Sequence, residues 1–149
     1  MTEEQKYMSL AIDQAKIAAS LNEVPVGAVV VYNGKIISGG YNKREKLKNS
    51  LYHAEIEAIN GACKYLNEWR LIDCHLYVTL EPCAMCAGAI INSRISKLIY
   101  GTSDPKAGSC GSIINLFDLP YNHKPEVIYG IMQKECAFVL KDFFSGLRK

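Results

Sequence analysis

The first and last helices predicted along the chain both carry apolar residues at intervals of three and four positions. In residues 3–21 this spacing aligns Met8, Ala11, Ile12, Ala15, Ala18 and Ala19. In Met132–Leu147 it aligns Cys136, Val139, Leu140, Phe143 and Leu147. A stripe of this kind is typical of an amphipathic helix that packs one side against a core.

Three segments between these two helices are also predicted to be helical. Cys83–Asn92 follows Pro82 and is rich in small residues, and Ile113–Leu116 is predicted as a short helix. The longest of the three is 53–67, whose inward-facing residues are expected to be Ile56, Ile59, Ala62, Cys63 and Leu66.

Apolar and β-branched runs alternate with the helices and predict a sheet of five strands. These runs are Val26–Tyr32, Lys35–Gly39, Leu76–Leu80, Lys97–Gly101 and Glu126–Tyr129. Asn33-Gly34 joins the first two and is a strong signal for a two-residue β-hairpin. Polar loops are predicted for Asn42–Ser50 and Thr102–Ser112. The element order α-β-β-α-β-α-β-β-α favours a mixed sheet covered by helices on both faces, a three-layer α/β/α domain.

Composition supports a single globular domain over residues 1–149. Hydrophobic residues make up 49% of the chain and charged residues 21%, which excludes a disordered, collagen-like or coiled-coil protein. The longest apolar stretch, Val24–Tyr32, is too short to span a bilayer, and the acidic N-terminal sequence is unlike a signal peptide. We therefore expect a cytoplasmic protein without a membrane partner, whose six cysteines are thiols or metal ligands.

The formal net charge of +2 hides one strongly basic run. Four basic residues and Glu45 give residues 43–48 a charge of +3. A solvated surface is the ordinary interpretation of such a run, and a patch for a polyanion is the alternative. The basic residues of the run are Lys43, Arg44, Lys46 and Lys48.

Two short motifs lie where helices are predicted to begin. They are His53-Ala54-Glu55 and Pro82-Cys83-Ala84-Met85-Cys86. Cys83 and Cys86 are three positions apart and so lie on one helix face, and a helix N-terminus favours the thiolate form that binds metal. With an imidazole nitrogen from His53, they provide one nitrogen and two sulfur donors, a set that suits one Zn²⁺ per chain.

The number of protein ligands decides what kind of zinc site this is. A structural site has four, whereas a catalytic site has three and keeps a position for water. Cys110 and His123 lie in loops, so they stay open as a possible fourth ligand. The remaining candidates lie too far from the motifs or fit a core stripe: Cys63, Cys74, His75 and Cys136.

Glu55 is the residue that points to a mechanism. As a first-turn carboxylate its ordinary role is to interact favourably with the helix dipole. Beside a zinc-bound water, whose pKa the metal lowers to about 7, it is instead predicted to be the general base. The combination H-x-E followed by P-C-x-x-C, with both parts opening helices, is the signature of zinc-dependent nucleobase deaminases.

Longer blocks of sequence around these motifs resemble the bacterial tRNA-specific adenosine deaminases, which belong to the cytidine deaminase-like superfamily. The blocks are NEVPVGAVVV, HAEIEAI and LYVTLEPCAMCAGAIINSRISKLIYGTSDPKAG. The resemblance covers about Asn22 to Phe144, and residues 76–108 are its most specific part. It implies a cytidine deaminase-like fold, a homodimer, and hydrolytic deamination of the wobble adenosine of an arginine tRNA to inosine.

The resemblance also implies roles for individual residues. His53, Cys83 and Cys86 would bind zinc, and Glu55 would be the proton shuttle for a zinc-activated hydroxide. Lys106 would approach RNA phosphates, and the 43–48 run, which follows Asn42 directly, is placed to do the same. The residues implied to contact the target base or the anticodon loop are Asn42, Val26, Ala54 and Asp104.

Two other functions stay open at this point. One is a deaminase of guanine or another free base or nucleoside, in which the basic run would be incidental. The other is a non-catalytic, zinc-stabilised RNA-binding module, which the presence of Glu55 disfavours. The C-terminal segment 146–149 is short and contains two basic residues, so we expect it to add little to RNA binding.

Overall fold

The computed structural model describes residues 1–147 and has a five-stranded sheet at its centre. Strand β1 pairs antiparallel with β2 and β3, whereas β3, β4 and β5 run parallel, in the spatial order β2-β1-β3-β4-β5. The predicted mixed sheet is therefore confirmed. The strands are β1 Gly27–Tyr32, β2 Lys35–Tyr41, β3 Cys74–Leu80, β4 Lys97–Thr102 and β5 Glu126–Tyr129.

Helices cover both faces of the sheet, as the sequence predicts. Helices α1 and α5 pack on one face, where Met8 and Cys136 meet Val29 and Ile99. Helices α3 and α4 pack on the other face, which gives the three layers. The helices are α1 Glu3–Ser20, α2 Arg44–Leu47, α3 Ala54–Leu66, α4 Ala84–Ser93 and α5 Gln133–Leu147, with a 3₁₀ helix at Leu116–Asp118.

The β1–β2 hairpin turns at the predicted dipeptide. Asn33 and Gly34 have φ angles of +51° and +70°, the left-handed pair that a type I′ turn requires. Close packing then brings β2 against the start of α3, because a Cβ at Gly40 would lie 2.6 Å from the carbonyl oxygen of Ala54. Gly40 thus lets the sheet approach the helix end that carries His53.

The predicted loop 42–50 contains a short helix that the sequence pattern did not reveal. Helix α2 is held at its start by Glu23, whose carboxylate accepts hydrogen bonds from the backbone N–H groups of Glu45 (3.1 Å) and Lys46 (2.7 Å). Glu23 is 1% exposed. The anchor is more than 20 residues away along the chain, which is why local periodicity missed it.

The predicted helix at Ile113–Leu116 is wrong in position. The structure has a 3₁₀ helix at Leu116–Asp118 instead, and the Asn115 side chain caps it by accepting a hydrogen bond from the N–H of Phe117 (3.2 Å). Phe117 is buried, whereas Ile113 is exposed. The cap and one buried aromatic residue therefore define this turn.

Two predicted helix faces need correction. On α3 the predicted Ile59 and Ala62 are buried, and Cys63 and Leu66 are partly buried against the core, but Ile56 is not in the buried set. Ala54 and Ala58 are buried in its place, where they allow close packing on β2. Helix α5 meets the core through its first half, so Leu147 is exposed. No helix within residues 1–147 is long and apolar enough to cross a bilayer. The basic residues Arg148 and Lys149 lie outside the described residues.

Candidate active site

The side chains of His53, Cys83 and Cys86 converge between the starts of α3 and α4. Their ligand atoms all lie within 4.8 Å of one another. His53 Nδ1 lies 3.6 Å from Cys83 Sγ and 3.5 Å from Cys86 Sγ. Tetrahedral zinc with ordinary Zn–S and Zn–N bond lengths holds such donor atoms about 3.6 Å apart. The three residues are thus positioned for zinc binding.

The local backbone explains why these side chains meet. His53 is the N-cap of α3 and Cys83 is the N-cap of α4, and both have extended backbones with ψ angles of 159° and 178°. Neither side chain caps its own helix, so both are directed towards the neighbouring helix end. The positive ends of two helix dipoles then stabilise negative charge on sulfur.

The pKa values of the three donor side chains are shifted in opposite directions. Hydrogen bonds from Cys86 and His53 lower the pKa of the Cys83 thiol to about 3, although burial opposes this shift. The hydrogen bond to Cys83 raises the pKa of His53. A separate hydrogen bond between Cys86 and Cys83, together with burial, raises the pKa of the Cys86 thiol. Cys83 is therefore available as a thiolate to bind a cation. A bound cation can in turn displace the protons that His53 and Cys86 hold in their hydrogen bonds to Cys83.

No fourth protein ligand joins the cluster within residues 1–147. Cys110 Sγ lies 3.9 Å from the carbonyl oxygen of Pro82, and His123 Nε2 lies 2.6 Å from the carbonyl oxygen of Ile95. Both residues that the sequence left open thus have other partners. Three protein donors correspond to the ligand count of a catalytic zinc site.

Glu55 is a buried carboxylate beside this cluster. It is 4% exposed, and burial raises the pKa of its carboxyl group to about 7, against the lowering effects of a backbone N–H and of His53. A carboxyl group with this environment can both accept and release a proton near neutral pH. Glu55 is hydrogen-bonded to Cys86 and close enough to His53 and Cys83 for their charges to shift its pKa. It therefore borders the donor cluster without being one of its members.

A cavity of about 210 Å³ opens next to the cluster. It brings together every pocket residue that the resemblance implied, along with His53, Glu55 and Cys83. Lys106 is absent from its lining and lies on the exposed part of the neighbouring loop. The full lining is Val24, Val26, Asn42, Arg44, His53, Ala54, Glu55, Leu80, Glu81, Cys83, Asp104 and Ala107.

Two polar residues of the cavity are oriented by the backbone beside them. The Asn42 side-chain oxygen accepts a hydrogen bond from the N–H of Arg44 (3.2 Å), so its NH₂ group is available to a ligand. Asp104 Oδ1 accepts hydrogen bonds from the N–H groups of Lys106 (3.0 Å) and Ala107 (3.3 Å). Neighbouring backbone N–H groups thereby hold both side chains in place.

The basic run divides into one paired residue and three exposed ones. Lys43 forms an ion pair with Glu57 and lies 4.5 Å from the centre of the Tyr41 ring. Arg44 lines the cavity, and Lys46 and Lys48 are exposed. The structure therefore separates Lys43 from the residues that present charge to solvent.

Sequence reasoning missed Glu81, which organises the other side of the cavity. Glu81 is 2% exposed and accepts hydrogen bonds from the N–H groups of Asp104, Cys110 and Ser112, each at 3.0 Å. The Ser112 hydroxyl donates a further one of 2.5 Å. The available signal was a carboxylate placed directly after an apolar strand and before Pro82. We call residues 103–112, which Glu81 holds, the rim loop.

Comparison with families and with curated proteins gives consistent results. The model of the MafB19-like deaminase family matches residues 2–148. The tRNA-specific adenosine deaminase of Bacillus subtilis (strain 168) is 48% identical over 150 residues, which cover 100% of this chain and 93% of that protein. The enzyme of the same name from Rickettsia bellii (strain RML369-C) is 50% identical over 144 residues, with 95% and 99% coverage.

Solved structures show the same fold at two levels of similarity. A chain from a study of A-to-I editing by tRNA:A34 deaminases at the wobble position superposes with a TM-score of 0.88 at 43% identity. The match covers 91% of this chain and 99% of that one. A guanine deaminase from Nitrosomonas europaea superposes with a TM-score of 0.77 at 20% identity, covering 95% and 84%. The latter likeness concerns the fold alone.

Proposed function

The chain belongs to the tRNA-specific adenosine deaminase family, and from this premise we propose that it deaminates the wobble adenosine of a tRNA anticodon loop. The reaction consumes one water molecule and yields inosine and ammonia. The observation that carries the proposal is the shared cavity, into which His53, Glu55 and Cys83 all project. We expect the substrate to be an arginine tRNA, as the sequence resemblance implies.

We propose that one Zn²⁺ is held by His53, Cys83 and Cys86. The donor set of one nitrogen and two sulfur atoms and the 3.5–3.6 Å separations support this assignment. When bound, zinc supplies a Lewis acid that activates a water molecule at neutral pH. A set of three protein ligands would keep one coordination position for water, as catalytic zinc sites do.

Glu55 is the proposed proton shuttle. Its carboxylate accepts a proton from the water whose oxygen bonds to C6 of adenine, and it delivers that proton to N1. It next carries the second proton of the water to the exocyclic amine, and cleavage of the C6–N bond releases ammonia. The burial of Glu55 keeps bulk water from exchanging these protons.

The proposed pocket holds one base. The Asn42 NH₂ group contacts the target base or its ribose, and Val26 and Ala54 form apolar walls. A cavity of about 210 Å³ is smaller than the 300–1,000 Å³ of sites for drug-sized ligands. A single flipped base fits that size, and a base inside a helix does not reach it, which supports a splayed anticodon loop as substrate.

Contacts to the rest of the RNA are assigned to the two segments beside the cavity. Asp104 faces the anticodon loop, and Lys106 approaches its phosphates from the rim loop. The exposed Arg44, Lys46 and Lys48 provide further positive charge, with Lys43 contributing least because Glu57 neutralises it.

We propose three further features of the protein. We infer that the whole of residues 1–149 acts as one deaminase domain and that two chains form a homodimer. We also infer that the enzyme works in the cytoplasm, where tRNAs are used. The near-complete coverage of the relatives' length supports the single domain, and analytical ultracentrifugation measures the dimer directly.

The decisive experiment compares RNA with free bases. An anticodon stem-loop with adenosine at the wobble position is incubated with the zinc-loaded protein, and nucleosides are identified by mass spectrometry. We expect inosine at the wobble position and none in a matched stem-loop whose only loop adenosine is moved elsewhere. Deamination of free guanine without any reaction on the stem-loop would replace this proposal with a free-base deaminase.

A further inference from the structure

A second cavity lies on the far side of the rim loop from the cavity that Asn42, Glu55 and Asp104 line, which we call the target-base pocket. Its volume is about 440 Å³. We propose that this cavity, with Tyr129 as its stacking surface, binds a nucleobase that flanks the target adenosine in the RNA. The inference rests on the proposed function, since it requires an RNA substrate in the neighbouring pocket. The lining is Tyr100, Ser103, Cys110, Gly111, Ser112, Asn115, Val127 and Tyr129.

Sheet geometry places Tyr129 on the same side of the molecule as the candidate active site. Strands β3, β4 and β5 are parallel neighbours, so their C-terminal ends share one edge. Tyr129 pairs in register with Tyr100, and Val127, two positions earlier, packs in the core beneath α3 and α4. Because neighbouring strands are about 4.8 Å apart, β5 lies only about 10 Å from β3, which leads into the zinc-ligand motif.

The Tyr129 ring is already arranged as a platform. Its centre lies 6.0 Å from that of the Tyr100 ring at an interplanar angle of 26°, a stacked geometry. Tyr100 is 5% exposed, whereas Tyr129 is 71% exposed. A buried ring thus supports a ring that faces solvent, and a base can stack on it without first ordering the side chain.

The polar groups around the platform suit a neutral base edge. Asn115 uses its side-chain oxygen to cap the 3₁₀ helix, which leaves its NH₂ group for a ligand, and Ser103 is exposed. Within the part of the chain that the structure describes, no lysine or arginine lines the cavity. Phosphate binding generally uses such cations, so the lining favours a base over a phosphate.

One anchored loop forms the wall between the two cavities. Asp104 and Ala107 of the rim loop line the target-base pocket, whereas Ser103 and Cys110 line the second cavity. Glu81 fixes this wall through the hydrogen bonds described above. Nucleotides next to one another in a splayed loop can therefore enter the two cavities from opposite sides of the same wall.

The first test removes the platform. Tyr129→Ala is expected to raise KM for the anticodon stem-loop about 5- to 150-fold, the range for one base–aromatic stack, with kcat nearly unchanged. Tyr129→Phe keeps the ring and should restore the parental KM. Tyr65→Ala is the matched control, because Tyr65 is similarly exposed but lies near the opposite end of α3.

The second test identifies the base. Each nucleotide beside the target is replaced in turn by an abasic residue, and KM is measured with the parent and with Tyr129→Ala. At one position the abasic change should raise KM for the parent but should not raise KM further for Tyr129→Ala. Fully additive effects at every position, or a KM for Tyr129→Ala within twofold of the parent, would overturn the proposal.

Two other results have separate meanings. Dissociation of a dimer in Tyr129→Ala, measured by analytical ultracentrifugation, would assign this face to a second copy of the chain and overturn the base-binding site. Failure of the parental enzyme to act on any stem-loop would instead refute the proposed function. The two ideas are therefore tested independently.

Discussion

Glu55 differs from an ordinary surface glutamate because its carboxyl group is buried. Burial raises the pKa of its carboxyl group to about 7, because removing water from a carboxylate is unfavourable unless a partner compensates for the lost hydration. Glu57, on the same helix, is partly buried and forms an ion pair with Lys43. The two acidic residues of one helical turn thus have different roles, and only Glu55 borders the donor cluster.

Glu55→Ala is expected to abolish most deamination while leaving metal binding intact. General acid–base groups contribute about 10²–10⁴ in rate, and because Glu55 moves two protons we expect kcat to fall by at least the upper value. Zinc content, measured by mass spectrometry, should stay at one ion per chain. Glu57→Ala is the matched control and should keep most of the activity. Parallel loss of zinc and activity in Glu55→Ala would contradict the assignment.

Glu81 makes a comparable structural contribution through its hydrogen bonds. Glu81→Gln replaces one carboxylate oxygen by an NH₂ group, so at least one buried N–H of the rim loop loses its acceptor. A buried donor without a partner costs about 1–3 kcal/mol, and we expect a loss of that size in the free energy of unfolding measured in urea. KM for RNA should rise as well, because Asp104 and Lys106 lie on this loop.

A control for Glu81 is provided by Glu126, whose side chain is 66% exposed and makes one ion pair of 3.7 Å with Lys97. Such surface pairs contribute little, so Glu126→Gln should change the free energy of unfolding by less than about 0.5 kcal/mol. Equal effects of the two substitutions would show that Glu81 does not anchor the rim loop.

At the level of elements, two buried glutamates fix the two segments beside the target-base pocket. Glu23 holds the start of α2, and Glu81 holds the rim loop. Both use backbone N–H groups as donors, so they can fix a loop whatever side chains it carries. The result is a pocket whose borders are ordered although neither border belongs to the sheet.

The α2 segment gives a charge-based prediction. Replacing Arg44, Lys46 and Lys48 with glutamine should raise KM for tRNA and make it less dependent on salt. The slope of log KM against log salt concentration should fall by about 0.7 for each RNA phosphate that is no longer neutralised. The rate at saturating RNA should barely change, because these residues position the strand. Lys43→Gln alone should have a smaller effect on the slope, since Glu57 already pairs with it.

Control substitutions of the same charge are available elsewhere. Lys6, Lys16 and Lys64 are exposed and lie on α1 and at the far end of α3, so their replacement by glutamine should leave the salt slope unchanged. If both triple variants flatten the slope equally, the effect reflects overall charge. An unchanged slope in the α2 variant would make this segment an ordinary solvated surface.

Local sequence patterns predicted the elements that depend on local chemistry. The Asn33-Gly34 turn needs only two residues with positive φ, and the strands follow from apolar runs, so both were predictable. The His53–Cys83–Cys86 cluster was predictable from the two motifs, because binding of one metal ion accounts for their residue types. Glu81 and Glu23 were missed because their partners lie 22 to 31 residues away along the chain, and no periodicity encodes such contacts.

The orientation of α3 shows a second limit of sequence reasoning. The predicted inward face contained Ile56 together with Ile59 and Ala62. The structure buries Ile59 and Ala62 as predicted, but it turns Ala54 and Ala58 towards the sheet in place of Ile56. Close packing against Gly40 of β2 rewards small residues more than large ones. The rotation of α3 therefore depends on how closely the helix approaches β2, and that distance cannot be read from the sequence.

At the scale of the whole molecule, the three layers bring distant residues to one edge of the sheet. The parallel strands β3 and β4 end at Leu80 and Thr102, next to the starts of α3 and α4. Functional residues in open α/β sheets cluster outside the C-terminal ends of the strands in this way. The target-base pocket and the Tyr129 cavity both lie at this edge, whereas the two hydrophobic clusters lie on the faces of the sheet.

This separation of core and site predicts how the molecule responds to loss of metal. Small zinc fingers unfold without their ion because the metal site replaces a core. Here Met8, Leu76, Ile90, Leu98 and other fully buried residues pack without taking part in the cluster. The fold should therefore survive chelation, and zinc should add only its binding free energy.

Chelated protein is expected to keep its far-UV circular dichroism and a cooperative urea transition. Adding zinc at 100 times its Kd should raise the free energy of unfolding by about 2.7 kcal/mol. Cys86→Ser should remove this response, whereas Cys63→Ser, a change of the same kind outside the cluster, should keep it. A chelated chain without secondary structure would mean that the two cores cannot hold the layers together. A normal zinc response in Cys86→Ser would remove Cys86 from the ligand set.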